Sequence, residues 1–268
     1  MLSLLTAALL PGVIRLGHTR VSTYGFFAAL GLIAAIWLSQ HTARLASVPA
    51  QKLWDAGVFA VFSAFVFSRL LLVAEDLGAF LRYPLIVLSL PSLTYAGMAL
   101  TGVATLGYLY LRKMPPLATL DAWSPCAALL AAVLALAHFV EGTDAGMPTA
   151  LPWGVVTPGD TVLGRVHPVQ LYAMAAALAL LAYLLRRLSR PHVAGQVAAT
   201  ALYCGGGLAF WLDSFAQPSE SHGNSLLEPG QWAALAALLV GVGIYSRWLF
   251  SVPAETLPET HSGPQELR

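Results

Sequence analysis

Apolar positions along this chain gather into seven long runs, about 21–39, 54–75, 92–112, 118–140, 167–186, 196–216 and 229–250, set apart by short polar stretches. A soluble core helix seldom carries so long a run without polar positions on its outer face. At about 1.5 Å of rise per residue, each run is long enough to cross a hydrocarbon layer of about 30 Å. The pattern predicts an all-α fold: a polytopic membrane bundle of seven transmembrane helices, forming one domain over residues 1–250. Before the first of these runs, Met1 to Ile14 is apolar but short and broken by Pro11-Gly12, without a basic start or an A-x-A cleavage pattern. It is expected to lie as an interfacial arm over residues 1–18 rather than to act as a signal peptide. Residues 251–268 are rich in proline and glutamate, lack an apolar period, and are expected to form a disordered cytoplasmic tail.

Composition supports the membrane reading. Of 268 residues, 57% are hydrophobic and 10% charged, where a soluble domain carries roughly 25% charged residues. The net charge of +1 gives no reason to expect a nucleic-acid partner. The two cysteines, Cys126 and Cys204, sit inside apolar runs, make no disulfide framework and have no metal-ligand spacing.

Basic residues set the orientation. With the N-terminus outside, the inner flanks hold Arg44, Lys52, Arg112, Lys113, Arg186, Arg187, Arg190 and Arg247, and the outer flanks hold Arg15, Arg20, Arg82 and Arg165. The excess belongs in the cytoplasm, so the N-terminus is placed outside and the C-terminus inside. Short connections make consecutive helices antiparallel neighbours. Two outer segments are longer: residues 141–166, whose Leu151-Pro152-Trp153-Gly154-Val155-Val156 reads as a short strand or ordered loop, and residues 217–228, which read as a mobile loop.

In this orientation the polar groups inside the runs share one depth. Tyr24 opens the first run, and Arg69 lies about 9 Å below the outer end of the second. Tyr95 starts the third, and His138 and Glu141 finish the fourth. His167, Gln170 and Tyr172 open the fifth, and Asp213 ends the sixth. An arginine in lipid is costly, by about 2.5 kcal/mol or more at mid-membrane. Arg69 therefore has three readings: snorkelling to the headgroups, an ion pair with Asp213, or binding of a phosphate-bearing headgroup. His138 and Glu141, three apart, share a helix face and read either as a base with its partner or as an interfacial polar patch. His167, ahead of Pro168 in the first helical turn, reads as a cap-like residue or a working histidine. Asp213 at a helix C-terminus calls for a cationic partner. Asp55 and Asp121, near the inner helix starts, read as caps. Gly205-Gly206-Gly207 reads as a close helix contact, with a flexible point as the second reading.

These residues bring a family into view. Over roughly 18–250 the chain resembles the prolipoprotein diacylglyceryl transferases of bacterial envelopes. Ser22-Thr23-Tyr24-Gly25 looks like the family's Tyr-Gly start of its first helix, Phe67-Ser68-Arg69 like its Gly-Arg element, and Leu93-Thr94-Tyr95 through Gly102 like its His-Gly-Gly segment. Asp121 with Pro125 matches the start of the fourth helix. His138-Phe139-Val140-Glu141-Gly142 with Gly146 stands where the family has Gly-Arg-x-Gly-Asn-Phe-x-Asn-Gly-Glu. Leu151 to Val156, followed by Arg165-Val166-His167-Pro168-Val169-Gln170-Leu171-Tyr172, is similar to the family's loop and its His-Pro-x-Gln-Leu-Tyr element. Asp213 with Gln217-Pro218 resembles the close of the sixth helix. Five positions depart from the pattern: family cationic residues fall at Ala135, at Ala96 or Gly97, near Ala209 and at Ala216, and the family's asparagine falls at His138.

The resemblance implies an enzyme of the bacterial inner membrane that moves the diacylglyceryl group of phosphatidylglycerol to the lipobox cysteine thiol of a lipoprotein precursor, releasing glycerol phosphate without metal or cofactor. His138, standing where the family has an asparagine, could take over as base, and with His167 it is a candidate catalytic residue; Arg69, Tyr24, Tyr95, Glu141, Gln170, Tyr172 and Asp213 are the candidate substrate-binding set. Because the departures remove charge-assisted contacts to phosphate, a second reading stands beside the first: a catalytically impaired relative that binds lipid or lipoprotein. A small transporter would need polar groups through the full depth, and the single layer argues against it.

Overall fold

The structure is a computed structural model, and it describes residues 13–16, 19–75, 77–83, 94–143, 146–156, 164–217 and 227–250. Each predicted run contains one long helix: α1 (Thr23–Leu45), α2 (Ala50–Glu75), α4 (Tyr95–Leu111), α5 (Pro116–Glu141), α6 (Val169–Leu188), α7 (Gln196–Asp213) and α8 (Pro229–Phe250), with a six-residue α3 (Leu77–Arg82) after α2. By length and composition, α1, α2, α5, α6 and Pro229–Arg247 of α8 are apolar enough to cross a membrane, and Ala96–Leu111 is a shorter apolar helix. Large apolar side chains face outward, with Ile33 65% and Trp37 78% exposed, as lipid-facing positions require and a soluble monomer would avoid.

The all-α expectation is modified at one end of the bundle. Two small antiparallel pairs form there: β1 (Val13–Leu16) with β2 (Thr19–Ser22), and β3 (Val155–Val156) with β4 (Arg165–Val166). The interfacial arm expected over 1–18 thus contains a strand, while residues 1–12 lie outside the described residues. β3 bears out the strand reading of Leu151 to Val156. The tail 251–268 and most of the loop 217–228 lie outside the described residues.

Local chemistry places the helix ends. Ser22 and Thr94 accept from the N–H groups of Gly25 and Gly97 and so cap α1 and α4. The turns after α1 and α4 are built alike. Ser47 and Lys113 take positive φ, Val48 and Met114 donate back to Ala43 and Leu109 at 2.9 Å, and Pro49 and Pro115 follow. Each is a Schellman stop whose apolar residue buries in one shared core with Leu53, Ala56 and Ala122.

That core, with a second one around Ala128, Leu184, Leu188 and Val197, lies toward the end of the bundle where α5 and α7 begin. Asp121 is fully buried there. Its carboxylate accepts from the N–H groups of Gly195 at 2.6 Å and Ala198 at 2.7 Å, so it caps α7 across more than seventy residues of chain rather than its own helix. Asp55 corrects the capping expectation: its carboxylate takes Gln51 Nε2 at 3.1 Å and an ion pair to Arg112 at 3.9 Å. α8 packs on α7, which packs on α5 and α6, while α1 joins α5 to α2 and α2 carries α4. Gly206 makes α7 against α8 close. A Cβ there would stand 2.5 Å from the Ala234 oxygen and 2.7 Å from the Leu238 nitrogen.

Candidate functional site

The opposite end of the bundle is where α1 and α6 start and α5 and α7 finish, and the candidate polar residues collect there. The Tyr24 ring at the start of α1 packs on the His138 ring near the end of α5, centroids 4.8 Å apart. Gly142 in left-handed conformation stops α5. This turns the chain so that Thr143 Oγ1 meets His138 Nδ1 at 2.9 Å and the Thr143 carbonyl accepts from Gln170 Nε2 at 2.6 Å. Tyr24, His138 and Gln170 are thereby tied together from three helices.

A second group sits at the first turn of α6. His167 donates its backbone N–H to the Met147 carbonyl at 3.0 Å, and its ring lies 5.5 Å from that of Phe215, just beyond α7. The Tyr172 hydroxyl accepts from Trp153 Nε1 at 2.8 Å and stands 3.5 Å from His167 Nδ1. Trp153 was not among the sequence candidates. Its signal was its place in the Leu-Pro-Trp-Gly segment, an aromatic next to a fixed loop.

Between α5, α6 and α7 lies a cavity of about 890 Å³, within the usual range for a bound small molecule. Ala128, Ala131, Ala177, Leu180 and Gly205 line its deep part, and His138, Gln170, Asp213, Gln217 and Glu228 line its mouth. The Gln231 side chain hydrogen-bonds to Asp213, and the Glu228 carboxylate is near enough to act on it electrostatically. Three of the four alanines that interrupted the sequence pattern, Ala135, Ala209 and Ala216, also line this cavity.

Arg69 is elsewhere. It is buried in α2 with Cζ 5.1 Å from the centroid of the Phe65 ring, and α2 packs on α4 and α1. The side chain is thus inside the bundle and not in lipid, but it is not among the residues lining the cavity. An ion pair from Arg69 to Asp213 does not occur among the described contacts. Glu141 is half-buried at the last position of α5. Tyr95 begins α4, and its side chain lies outside the described residues.

Comparison with known proteins covers most of the chain. Residues 11–247 match the family model described as prolipoprotein diacylglyceryl transferase. The chain is 28% identical to the phosphatidylglycerol–prolipoprotein diacylglyceryl transferase of Cupriavidus pinatubonensis, over 94% of this chain and 97% of the relative. It is 29% identical to that of Bordetella bronchiseptica over 88% and 94%, and 32% identical to that of Chlamydia muridarum over 54% and 56%. The match runs from β1 into the last turn of α8, taking in the capped turns and the polar end, and the chain belongs to the prolipoprotein diacylglyceryl transferase family.

Proposed function

We propose that this protein transfers the diacylglyceryl group of phosphatidylglycerol to the lipobox cysteine thiol of a lipoprotein precursor, as a seven-span protein of the bacterial inner membrane with its N-terminus outside. The observation that carries this is the family match over residues 11–247, which includes every element that builds the polar end. The donor and acceptor are those in the relatives' names.

In the proposed reaction the cysteine sulfur attacks the glycerol carbon that bears the phosphate. A sulfur–carbon bond forms, the carbon–oxygen bond to phosphate breaks, and the thiol proton passes to a base while glycerol phosphate departs. His138 is suited to be the base: it stands at the polar end with Nδ1 fixed by Thr143 and its ring held by Tyr24. His167, held in the Tyr172–Trp153 group, is the second candidate. Arg69, buried in α2, is the proposed cation for the phosphate group, since a guanidinium suits phosphate geometry. Gln170, Tyr172 and Glu141 shape the polar end, and Tyr95 and Asp213 complete the proposed binding set.

The test is lipidation of a lipobox reporter in cells lacking their own enzyme. The parent chain should label the reporter. His138→Ala and Arg69→Ala, at unchanged membrane level, should each lose about 10²-fold or more, as expected for removal of a base or a charge-stabilising donor. A parent chain that labels nothing overturns the transfer and leaves the lipid- or lipoprotein-binding relative, which the alanines at 135, 209 and 216 favour. Orientation is checked separately. In a background without Cys126 and Cys204, an impermeant thiol reagent should label Asp144→Cys and spare Lys113→Cys; the opposite pattern reverses the assignment.

A further inference from the structure

The connection between α6 and α7, residues 189–195, is folded around one imidazole. Arg187 Nη1 donates to the Pro191 carbonyl at 3.3 Å, and Gln196 donates its backbone N–H to the Val193 carbonyl at 3.0 Å. His192 lies between these anchors, with its side chain 13% exposed. Its Nδ1 stands 2.7 Å from the Arg190 carbonyl oxygen. A carbonyl only accepts, so Nδ1 carries the proton of the neutral ring. Nε2 is then an acceptor, and it faces Asp121 Oδ2 at 3.8 Å. Two acceptors thus confront each other where water has little access. A proton added at Nε2 turns that repulsion into an ion pair, on the same carboxylate that caps α7.

From this arrangement we infer that Asp121 and His192 form a proton-operated latch on the first turn of α7, closed when the imidazole is charged and slack when it is neutral. Few other charges bear on it. Among the described residues, Asp121 on α5 is the one acidic group within ion-pair distance of His192, and His192 is the one charge acting on Asp121. On α6, Arg187 is held by Pro191. Arg190 beside the ring, Arg44 near the end of α1 and Arg247 near the end of α8 are exposed. α7 has no Asp, Glu, Lys or Arg before Asp213. The sign follows from the geometry: the pair adds stability where the imidazole is protonated and loses it as pH rises and the ring sheds its proton. Histidine is the side chain that ordinarily titrates between about pH 5 and 8. The proposed orientation places this connection on the cytoplasmic side, at the far end of the bundle from the proposed transfer site, and the latch does not rest on that transfer.

The test is hydrogen exchange of the segment 193–199, read by mass spectrometry on the full chain purified in detergent. That segment contains the Gly195 and Ala198 amides that Asp121 holds. Comparing wild type with His192→Gln at one pH cancels the intrinsic pH dependence of exchange. The protection of wild type over this variant should be about fivefold greater near pH 5.5 than near pH 8, the upper end for an ion pair at a protein surface. In the Asp121→Asn background the same comparison should give equal ratios at both pH values. Where Asp121→Asn fails to fold, His192→Arg serves instead: its permanent charge should keep the segment as protected near pH 8 as near pH 5.5. Equal ratios in the wild-type background overturn the latch. So does a pH effect that persists in Asp121→Asn, or a His192→Arg chain that loses protection with rising pH as wild type does. Exchange is read without turnover, so a reporter that is not lipidated leaves the latch standing, and a latch that fails leaves the transfer standing.

Discussion

Asp121→Ala is expected to destabilise the chain by about 3–5 kcal/mol, the cost of leaving partners of a buried charged group unsatisfied. Two short bonds, to the N–H groups of Gly195 and Ala198, would be lost together. Both donors belong to the first turn of α7, where the helix dipole adds to the attraction for a carboxylate. The site is fully buried, so water cannot take the place of the lost acceptor without opening the packing of Val197 and Leu188. Asp121→Asn keeps one acceptor oxygen and should cost about half as much. Thermal unfolding of the detergent-solubilised chain reads the effect. For a chain of this size, about 2–4 °C per kcal/mol predicts a fall of roughly 6–20 °C for the alanine variant. A melting temperature within about 2 °C of wild type, outside what this scaling allows, would show that α7 does not depend on this cap. His192 Nε2, 3.8 Å from the same carboxylate, pairs with it when protonated.

The second large effect is at Gly206. Alanine is worth about 1 kcal/mol over glycine in a helix interior, so Gly→Ala should be favourable where there is room. Gly207 has room: its added Cβ would meet Leu238 Cδ1 at 3.4 Å. Gly206 has none, because its neighbours are the backbone oxygen of Ala234 and backbone nitrogen of Leu238, which cannot rotate away. Gly241 on α8 makes the reciprocal contact, with the Tyr203 nitrogen 2.5 Å from its would-be Cβ. We expect Gly206→Ala to destabilise by about 2–3 kcal/mol, in the range of overpacked interiors, and Gly207→Ala to be neutral or slightly stabilising. Equal melting temperatures for the two variants would refute the interlock. Because α7 also carries Ala209 and Asp213, parting α7 from α8 would move one wall of the cavity.

The pattern of small residues was visible in the sequence as Gly205-Gly206-Gly207, but three adjacent glycines point to three faces of a helix. Only the packing showed that Gly206 carries the close contact while Gly205 lines the cavity. The same holds for the carboxylates. Asp55 and Asp121 looked alike, each near a helix start, yet one makes an exposed pair with Arg112 and the other caps a helix more than seventy residues away. Tertiary capping leaves no local spacing to read.

The candidate site divides in a similar way. That Tyr24, His138, Gln170 and Tyr172 share one end of the bundle followed from counting residues along antiparallel helices, and the Tyr24–His138 ring contact and the bonds of Gln170 to Thr143 and of Trp153 to Tyr172 lie there. Depth along a helix is set by its 1.5 Å rise, which sequence fixes. The direction in which a side chain points around the bundle depends on which helices become neighbours. Thus the ion pair of Arg69 with Asp213, one of three sequence readings, is absent from the described contacts: Arg69 is buried in α2, and Asp213 lines the cavity between α5, α6 and α7.

By itself the sequence determined the long helices and the family, because hydrophobic length and motif order are local and linear. The tertiary structure alone decided which helix receives the Asp121 cap, which glycine sets the α7–α8 spacing, and that Ala135, Ala209 and Ala216 line one cavity with two carboxylates at its mouth. These are relations between segments distant in the chain, and they exist only once close packing has chosen each helix's neighbours.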